Sequence, residues 1–478
     1  MAEMSMDTQA MTGFESIMWE MERDPRLASA FSNLSILDSA PDRELFRKRM
    51  LRAVEVVPKL RQRVVTSALP WELPRWEDDP DMDIDQHLRW IDMGGQASRD
   101  DLYELTATLS RDPLDRERPL WQFVVIEGLA DGRAAMLQRL HHTITDGEGG
   151  IRLSVEFLDF ERNPPARRDD PRPARPPRVS SAPGDDDPDK ARPKDNADNS
   201  ADNSAGEKDG KKDGKTRPKP EKRVSTSPAD LLGAARSAAR QARVGKKRSP
   251  LWTERSLGRW FGTTTLSLED VLGAAHRMGG SVNDVFIAGA AAAAGQVHDR
   301  AGMPVEQLRV SMPVSTRHDR SAGGNAFSPT QMLVPTGAMT HAERVDAIHQ
   351  IVTEVREEKA IAAMEGAASA AAMLPPAVIL RTGQYLTQAV DFVCSNVRAA
   401  PMDLFIGGAL MQANYPLGPL AGTAFNLTTM SYRGWLFLGL YVDSAAVSDP
   451  QQLLDALDEN YTELLASVGL GRRTPVSD

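Results

Sequence analysis

The sequence predicts an α+β fold built as two lobes in one chain. Two observations carry that prediction. Helical and strand patterning alternate within two stretches of comparable build, and a long polar tract separates them. At 478 residues the chain also exceeds what one ordinary core accommodates. The boundaries read as a first lobe over 1–161, a linker over 162–250 and a second lobe over 251–478.

The first lobe opens with helical patterning in FRKRMLRAVEVVPKLRQRVV, from Phe46, where Pro58 intrudes late. Strands follow at Trp121–Glu127 and Ala134–Leu140, joined across Asp131-Gly132, a dipeptide that favours hairpin turns. The second strand runs into HHTITDGEGG, and IRLSVEFLDF reads as a helix. In the second lobe a helix over Leu268–Met278 stops at Gly279-Gly280. Another begins at SVNDVF, where Ser281 and Asp284 can cap it. Strands are expected at Leu308–Val314, Gln331–Val334, Asp391–Val397, Phe405–Met411, Phe425–Ser431 and Trp435–Val442. Thr340 with Glu343 makes a capping box for a helix toward Glu358, and a closing helix starts at Asp449.

The tract from about Arg162 to Arg248 has no Phe, Trp, Tyr, Ile, Met or Cys. It cannot bury enough apolar area to offset the entropy of ordering it, so it reads as a disordered tether with a short helix near Ala229–Ala242. Its mixed charge signs suit a solvated tether better than a nucleic-acid or membrane-binding arm.

Composition excludes several classes. A formal charge of -10 argues against a nucleic-acid binder, though a local basic patch can still receive an anionic co-substrate. A single cysteine, Cys394 in the apolar run DFVCSNV, rules out an internal disulfide framework and suits a reducing compartment and a buried structural thiol. No window approaches the roughly 20 apolar residues that span a bilayer. The expectation is a cytoplasmic protein, with peripheral contact to a membrane or lipid droplet left open.

The chemistry concentrates in His141-His142-Thr143-Ile144-Thr145-Asp146-Gly147. Adjacent histidines at a strand end point to opposite sides if the backbone stays extended, so one can face a cavity while its neighbour packs inside. An imidazole titrates near pH 6.5 and can take a proton from a hydroxyl at neutral pH. Asp146 can bend back to fix the loop or orient a ring, and Gly147 allows a tight turn. Duller readings exist. A lone histidine among eight is more often structural than catalytic. A metal site needs further ligands at fitting spacing, and the other histidines are scattered, so no metal is expected. The chain lacks the G-x-S-x-G of a serine nucleophile and any phosphate-binding glycine loop in strand–turn–helix context.

The segment resembles the HHxxxDG signature of the CoA-dependent acyltransferase superfamily, which includes chloramphenicol acetyltransferase and peptide-synthetase condensation domains. Its surroundings are similar to one branch, the bacterial wax ester synthase/acyl-CoA:diacylglycerol acyltransferase family. PRWEDDPDMDIDQHLRW from Pro74 looks like the family's early segment, and RDPLDRERPLWQFVVIEGLADGRAAMLQRLHHTITDG like its central block. SVNDVFIAG, VSMPVSTR with GNAFSP, SNVRAAP and TTMSYRGWLFLGLYVD follow in the family's order, so the likeness covers roughly 12–160 and 251–468.

The resemblance implies two chloramphenicol-acetyltransferase-like lobes with a substrate channel between them. It implies His142 as general base, His141 as support, Asp146 holding the loop and Gly147 leaving room for substrate. Asn283 and Asp284 match a second element of the family, with even odds between substrate contact and helix capping. Pro119, Leu120 and Trp121 pack the core or line the acyl channel. Acyl-CoA serves as co-substrate, a lipid alcohol as acceptor, and no cofactor is needed. One departure stands out: Arg398-Ala399-Ala400-Pro401 replaces the Pro-Gly-Pro usual after Asn396-Val397. Two alternatives remain at this point, an acyltransferase using a carrier-protein thioester and a catalytically weak lipid-binding homologue.

Overall fold

The computed structural model describes residues 9–67, 72–145, 147–165, 249–315, 327–357, 372 and 374–475. Most of the predicted linker, and Asp146, lie outside the described residues.

In the first lobe β1 (Gln9–Ala10) precedes α1 (Gly13–Met21), β2 (Ala30–Leu37) and α2 (Arg43–Val56). Next come β3 (Gln62–Val65), β4 (Arg75–Asp78), α3 (Ile84–His87), β5 (Leu88–Ala97) and α4 (Arg99–Arg111). The expected hairpin follows as β6 (Trp121–Leu129) and β7 (Ala134–His141), leading into α5 (Gly147–Phe157). The helix expected from Phe46 to Val65 stops at Val56, because Pro58 has no N–H to continue it. A single 3-10 turn at Pro58–Leu60 redirects the chain into β3.

The second lobe contains β8 (Arg259–Ser267), α6 (Leu268–Arg277), α7 (Val282–Arg300), β9 (Gln307–Ser315) and β10 (Phe327–Pro335). It continues through α8 (His341–Glu357), α9 (Pro376–Gln388), β11 (Phe392–Arg398), β12 (Phe405–Ile406) and β13 (Ala409–Leu417). It ends with β14 (Phe425–Tyr432), β15 (Trp435–Asp443) and α10 (Pro450–Ser467). The Ala-rich α7 is buried on nearly every side, and no helix among the described residues is long and apolar enough to cross a membrane.

Each lobe holds a mixed six-stranded sheet. The first runs β12-β13-β2-β7-β6-β5, and the second runs β10-β9-β11-β14-β15-β8. Residues 405–417 therefore leave the C-terminal stretch and complete the sheet of the N-terminal one, with β13 antiparallel to β2. The single strand expected at Phe405–Met411 is two strands. Gly407 and Gly408 both take positive φ, 51° and 82°, and turn the chain between them. At Gly407 a Cβ would also stand 2.8 Å from the Asp42 carbonyl oxygen.

Two cores follow from the two sheets. Every residue of β7 is buried, and Trp121, Phe123, Phe157 and Phe46 stack edge-to-face above it. In the second core Phe392 stacks on Phe425 at 4.6 Å, with Trp252 edge-on to both. Cys394 is fully buried in β11, and burial pushes its thiol pKa far up, as a structural thiol requires. The lobes meet through Tyr103 of α4, bonded to Thr263 Oγ1 of β8 at 2.6 Å, and through Tyr415 of β13 against Phe437 of β15.

Candidate active site

β7 delivers the two histidines. His141 is its last residue, paired with Ala30, and its N–H donates to the Leu120 carbonyl at 3.0 Å. His142 begins the turn, its N–H donating to the Ser29 carbonyl at 3.2 Å. The rings then part. His141 is completely buried and His142 is partly exposed.

His141 is committed to structure. The Thr143 backbone N–H donates to its Nδ1 at 3.1 Å, and Thr143 Oγ1 lies 2.7 Å from the same nitrogen. A backbone N–H can only donate, so Nδ1 is the acceptor and the proton of the neutral ring sits on Nε2. Nε2 faces Glu22 Oε2 at 2.6 Å. Burial works to raise the Glu22 pKa, yet the His141 ring, Arg116 and the Ser29 backbone outweigh it and hold the carboxyl below its ordinary 4.5. A depressed carboxyl contributes stability that is complete above pH 4.5 and lost as pH falls through the lower folded value. Glu22→Gln is therefore expected to lower the urea midpoint clearly at pH 7 and less at pH 4. An equal loss at both pH values would show that the ionised carboxylate is not what Glu22 contributes.

The loop beyond His142 is fixed from the same side. Lys59 Nζ donates to the Thr143 carbonyl at 2.8 Å and pairs with Glu15 Oε1 at 2.6 Å. Glu15 is in turn the third residue of the capping box that Thr12 makes for α1. The N-terminal segment thus grips the motif through Glu22, Ser29 and, by way of Lys59, Glu15.

His142 lies on the other side of the turn, its ring 4.7 Å from Phe31 of β2 and inclined by 40°. Gly147 is the first residue of α5, and a Cβ built on Gly150 would meet Phe31 Cζ at 3.7 Å. His142, Phe31 and the first turn of α5 therefore share one neighbourhood. Asp146 falls outside the described residues.

The other predicted positions serve the fold. Leu120 and Trp121 are buried, with the indole N–H donating to the Leu60 carbonyl at 2.8 Å and the ring stacked on His87 at 4.6 Å. Trp121 N–H donates to the Pro119 carbonyl, and Leu120 holds the His141 backbone. Asp284 is the third residue of α7 and completes the capping box with Ser281, its Oδ2 accepting from Ser281 N at 2.8 Å. The same oxygen meets His349 Nδ1 of α8 at 2.8 Å. Asn283 Nδ2 points to Met312 Sδ of β9 at 3.3 Å. These partners of Asn283 and Asp284 belong to the second lobe, whereas the two histidines are brought together with Leu120 in the first. At the departure after β11, Ala399 N–H still donates to the Ser431 carbonyl at 3.2 Å before the chain crosses to β12.

Comparison with known proteins identifies the family and the fold. Residues 11–286 match the wax ester synthase/diacylglycerol acyltransferase catalytic domain, and residues 323–465 match that family's C-terminal domain. A Mycobacterium tuberculosis protein that bears the name diacylglycerol O-acyltransferase is 33% identical over 461 residues, covering 95% of this chain and 91% of the relative. The wax ester synthase/diacylglycerol acyltransferase of Marinobacter aquaeolei superposes with a TM-score of 0.62 at 19% identity, over 97% of this chain and 100% of the other. The first condensation domain of the CDA synthetase gives 0.56 at 16% identity, over 98% and 99%. A variant of the starter condensation domain of rhizomide synthetase in complex with C8-CoA gives 0.59 at 14% identity, over 98% and 97%. Two mixed sheets sharing an exchanged hairpin, with a His-His turn at the end of β7, place the protein in the two-lobed fold of these acyltransferases and condensation domains. Within that class the chain belongs to the wax ester synthase/diacylglycerol acyltransferase family.

Proposed function

We propose that this protein moves a long-chain acyl group from acyl-CoA to a lipid hydroxyl, that of diacylglycerol to give triacylglycerol or of a long-chain alcohol to give a wax ester. His142 is the general base. It takes the proton of the acceptor hydroxyl as that oxygen attacks the thioester carbonyl. The tetrahedral intermediate then collapses with cleavage of the C–S bond, and the proton passes to the leaving sulfur as free CoA. The thioester supplies the driving force, so the step calls for no metal or redox cofactor. His141 positions the turn, Asp146 and Gly147 shape its far end, and Asn283, Asp284 and the Pro119–Trp121 segment act through the fold that holds it.

The observation that carries the assignment is the division of labour between the histidines. His141 spends both ring nitrogens on Thr143 and Glu22, whereas His142 stands on the partly exposed side beside Phe31. The names borne by the relatives point to the same acceptor class. The test is an acceptor screen on purified full-length protein with radiolabelled palmitoyl-CoA, comparing diacylglycerol with hexadecanol. Labelled neutral lipid with either acceptor is the expected result. Turnover only with a pantetheine-linked carrier thioester, or lipid binding with no turnover, would transfer the assignment to a condensation-type enzyme or a lipid-binding homologue.

A further inference from the structure

One large side chain, Phe31, shares the face of the sheet that His142 takes. Ala30 pairs with His141, so the next residue of β2 emerges on the opposite side from that buried ring. The backbone pairing of Phe31 with Leu140 pins it there. Its ring centroid lies 4.7 Å from that of the His142 imidazole, and both side chains are partly exposed. A base has to come within about 3 Å of the hydroxyl oxygen it deprotonates. The first carbons of the acceptor therefore enter a neighbourhood that Phe31 walls.

Behind the outer edge of that ring stands Gly150, the fourth residue of α5. It is buried, and its φ lies outside the left-handed region that favours glycine. A Cβ built on it would meet Phe31 Cζ and Cε2 at 3.7 and 3.9 Å and the Thr145 methyl at 3.9 Å, all ordinary contacts. A Cβ at the buried Gly295, by contrast, would stand 2.1 Å from the Thr336 carbonyl oxygen, where only glycine fits. At Gly150 neither the backbone nor the packing of the described residues calls for glycine, and glycine is a poor helix former. Alanine would fit and would favour the helix. What glycine leaves instead is a gap of one methyl group behind the Phe31 ring, beside the proposed base.

We propose that Phe31 is the acceptor-side wall of the reaction centre, and that the gap at Gly150 lets this wall yield to an alcohol branched at the carbon next to its CH2OH group. 1,2-Diacylglycerol carries such a branch, and a straight-chain alcohol does not. The gap gives the ring room to move when the branch arrives, and closing it selects for the unbranched acceptor. The size of one methylene group in an apolar pocket changes discrimination by about 10–200-fold. This inference rests on the ester-forming reading of His142 and names what the site accepts.

The test uses two isomeric primary alcohols, hexadecanol and 2-hexyldecanol, which differ only in a branch at that carbon, with 1,2-dioleoylglycerol beside them. Initial rates with labelled palmitoyl-CoA give kcat/KM for the full-length protein, for Gly150→Ala, and for Gly150→Ala combined with Phe31→Leu. The branched-to-linear ratio should fall about tenfold or more in Gly150→Ala. The urea midpoint should rise in the same variant, because the methyl fills a gap and favours the helix. Phe31→Leu shortens the wall and should return most of the lost ratio in the double variant. Equal falls with both isomers, or a lower midpoint in Gly150→Ala, would overturn the proposal by showing that glycine serves the fold. A wild type that takes hexadecanol alone would overturn it too, as would a discrimination that follows the donor when octanoyl-CoA replaces palmitoyl-CoA. A folded wild type that esterifies none of the three acceptors would sink the ester-forming reading itself, and the role of this wall with it.

Discussion

His142→Ala is expected to lower the rate of ester formation by about 10²–10⁴-fold, the usual contribution of a positioned general base. The fall should lie in kcat, since the ring acts on the proton in flight and binds neither chain. The fold should survive, because the side chain is partly exposed and the backbone bond from His142 to Ser29 does not need the ring. His141→Ala separates the two roles. It removes a completely buried ring and leaves the Glu22 carboxylate without its nearest partner, so it should depress stability as well as activity. Initial rates with labelled acyl-CoA, measured beside urea midpoints for both variants, read the difference. Wild-type turnover in His142→Ala would remove the base from that residue.

Much of this arrangement was legible in the chain. The parting of two adjacent rings follows from strand geometry alone, and one of them is sealed and the other partly open. The capping boxes at Ser281–Asp284 and Thr340–Glu343 form as written, the latter with Thr340 N on Glu343 Oε2 at 2.9 Å. These signals span three or four residues, and local chemistry decides them. For Asp284 the cap was one of two open readings, and its geometry is that of a cap.

What the chain did not disclose depends on distant partners. β2 reads AFSNLSIL, and Asn33 and Ser35 look like loop residues in isolation. In the sheet both side chains reach Asn414 of β13, almost four hundred positions away, while Leu34 and Ile36 face the core. Glu22, Lys59 and Phe31 escaped for the same reason. Nothing near Glu22 signals that its carboxylate will receive His141, and Lys59 stands in what reads as a continuous helix until Pro58 breaks it. A strand also dissolved into two at Gly407-Gly408, where the hydrophobic pattern of Phe405–Met411 outweighed the glycines in the reading.

Beside the hairpin that this break creates lies a buried ion pair, and neutralising one member should be among the most destabilising single changes in the first lobe. Arg49 of α2 and Asp159, just beyond α5, have side chains 0% and 2% exposed, with Nε to Oδ2 at 3.1 Å. Asp159 also exchanges both backbone hydrogen bonds with Phe405 of β12, each at 2.9 Å. One residue thus ties α2, the chain after α5 and the hairpin returning from the C-terminal stretch. Asp159→Asn keeps the shape and the backbone bonds but takes the Asp159 carboxylate charge from the buried Arg49 guanidinium, a loss of about 3–5 kcal/mol when such pairs are broken. Arg49→Met combined with Asp159→Asn buries no charge and should recover much of that stability, because a buried pair can be replaced by apolar groups at little net cost. Urea midpoints of the two variants against wild type read the comparison. A single variant within about 1 kcal/mol of wild type would mean that water or another group satisfies Arg49 in place of the carboxylate.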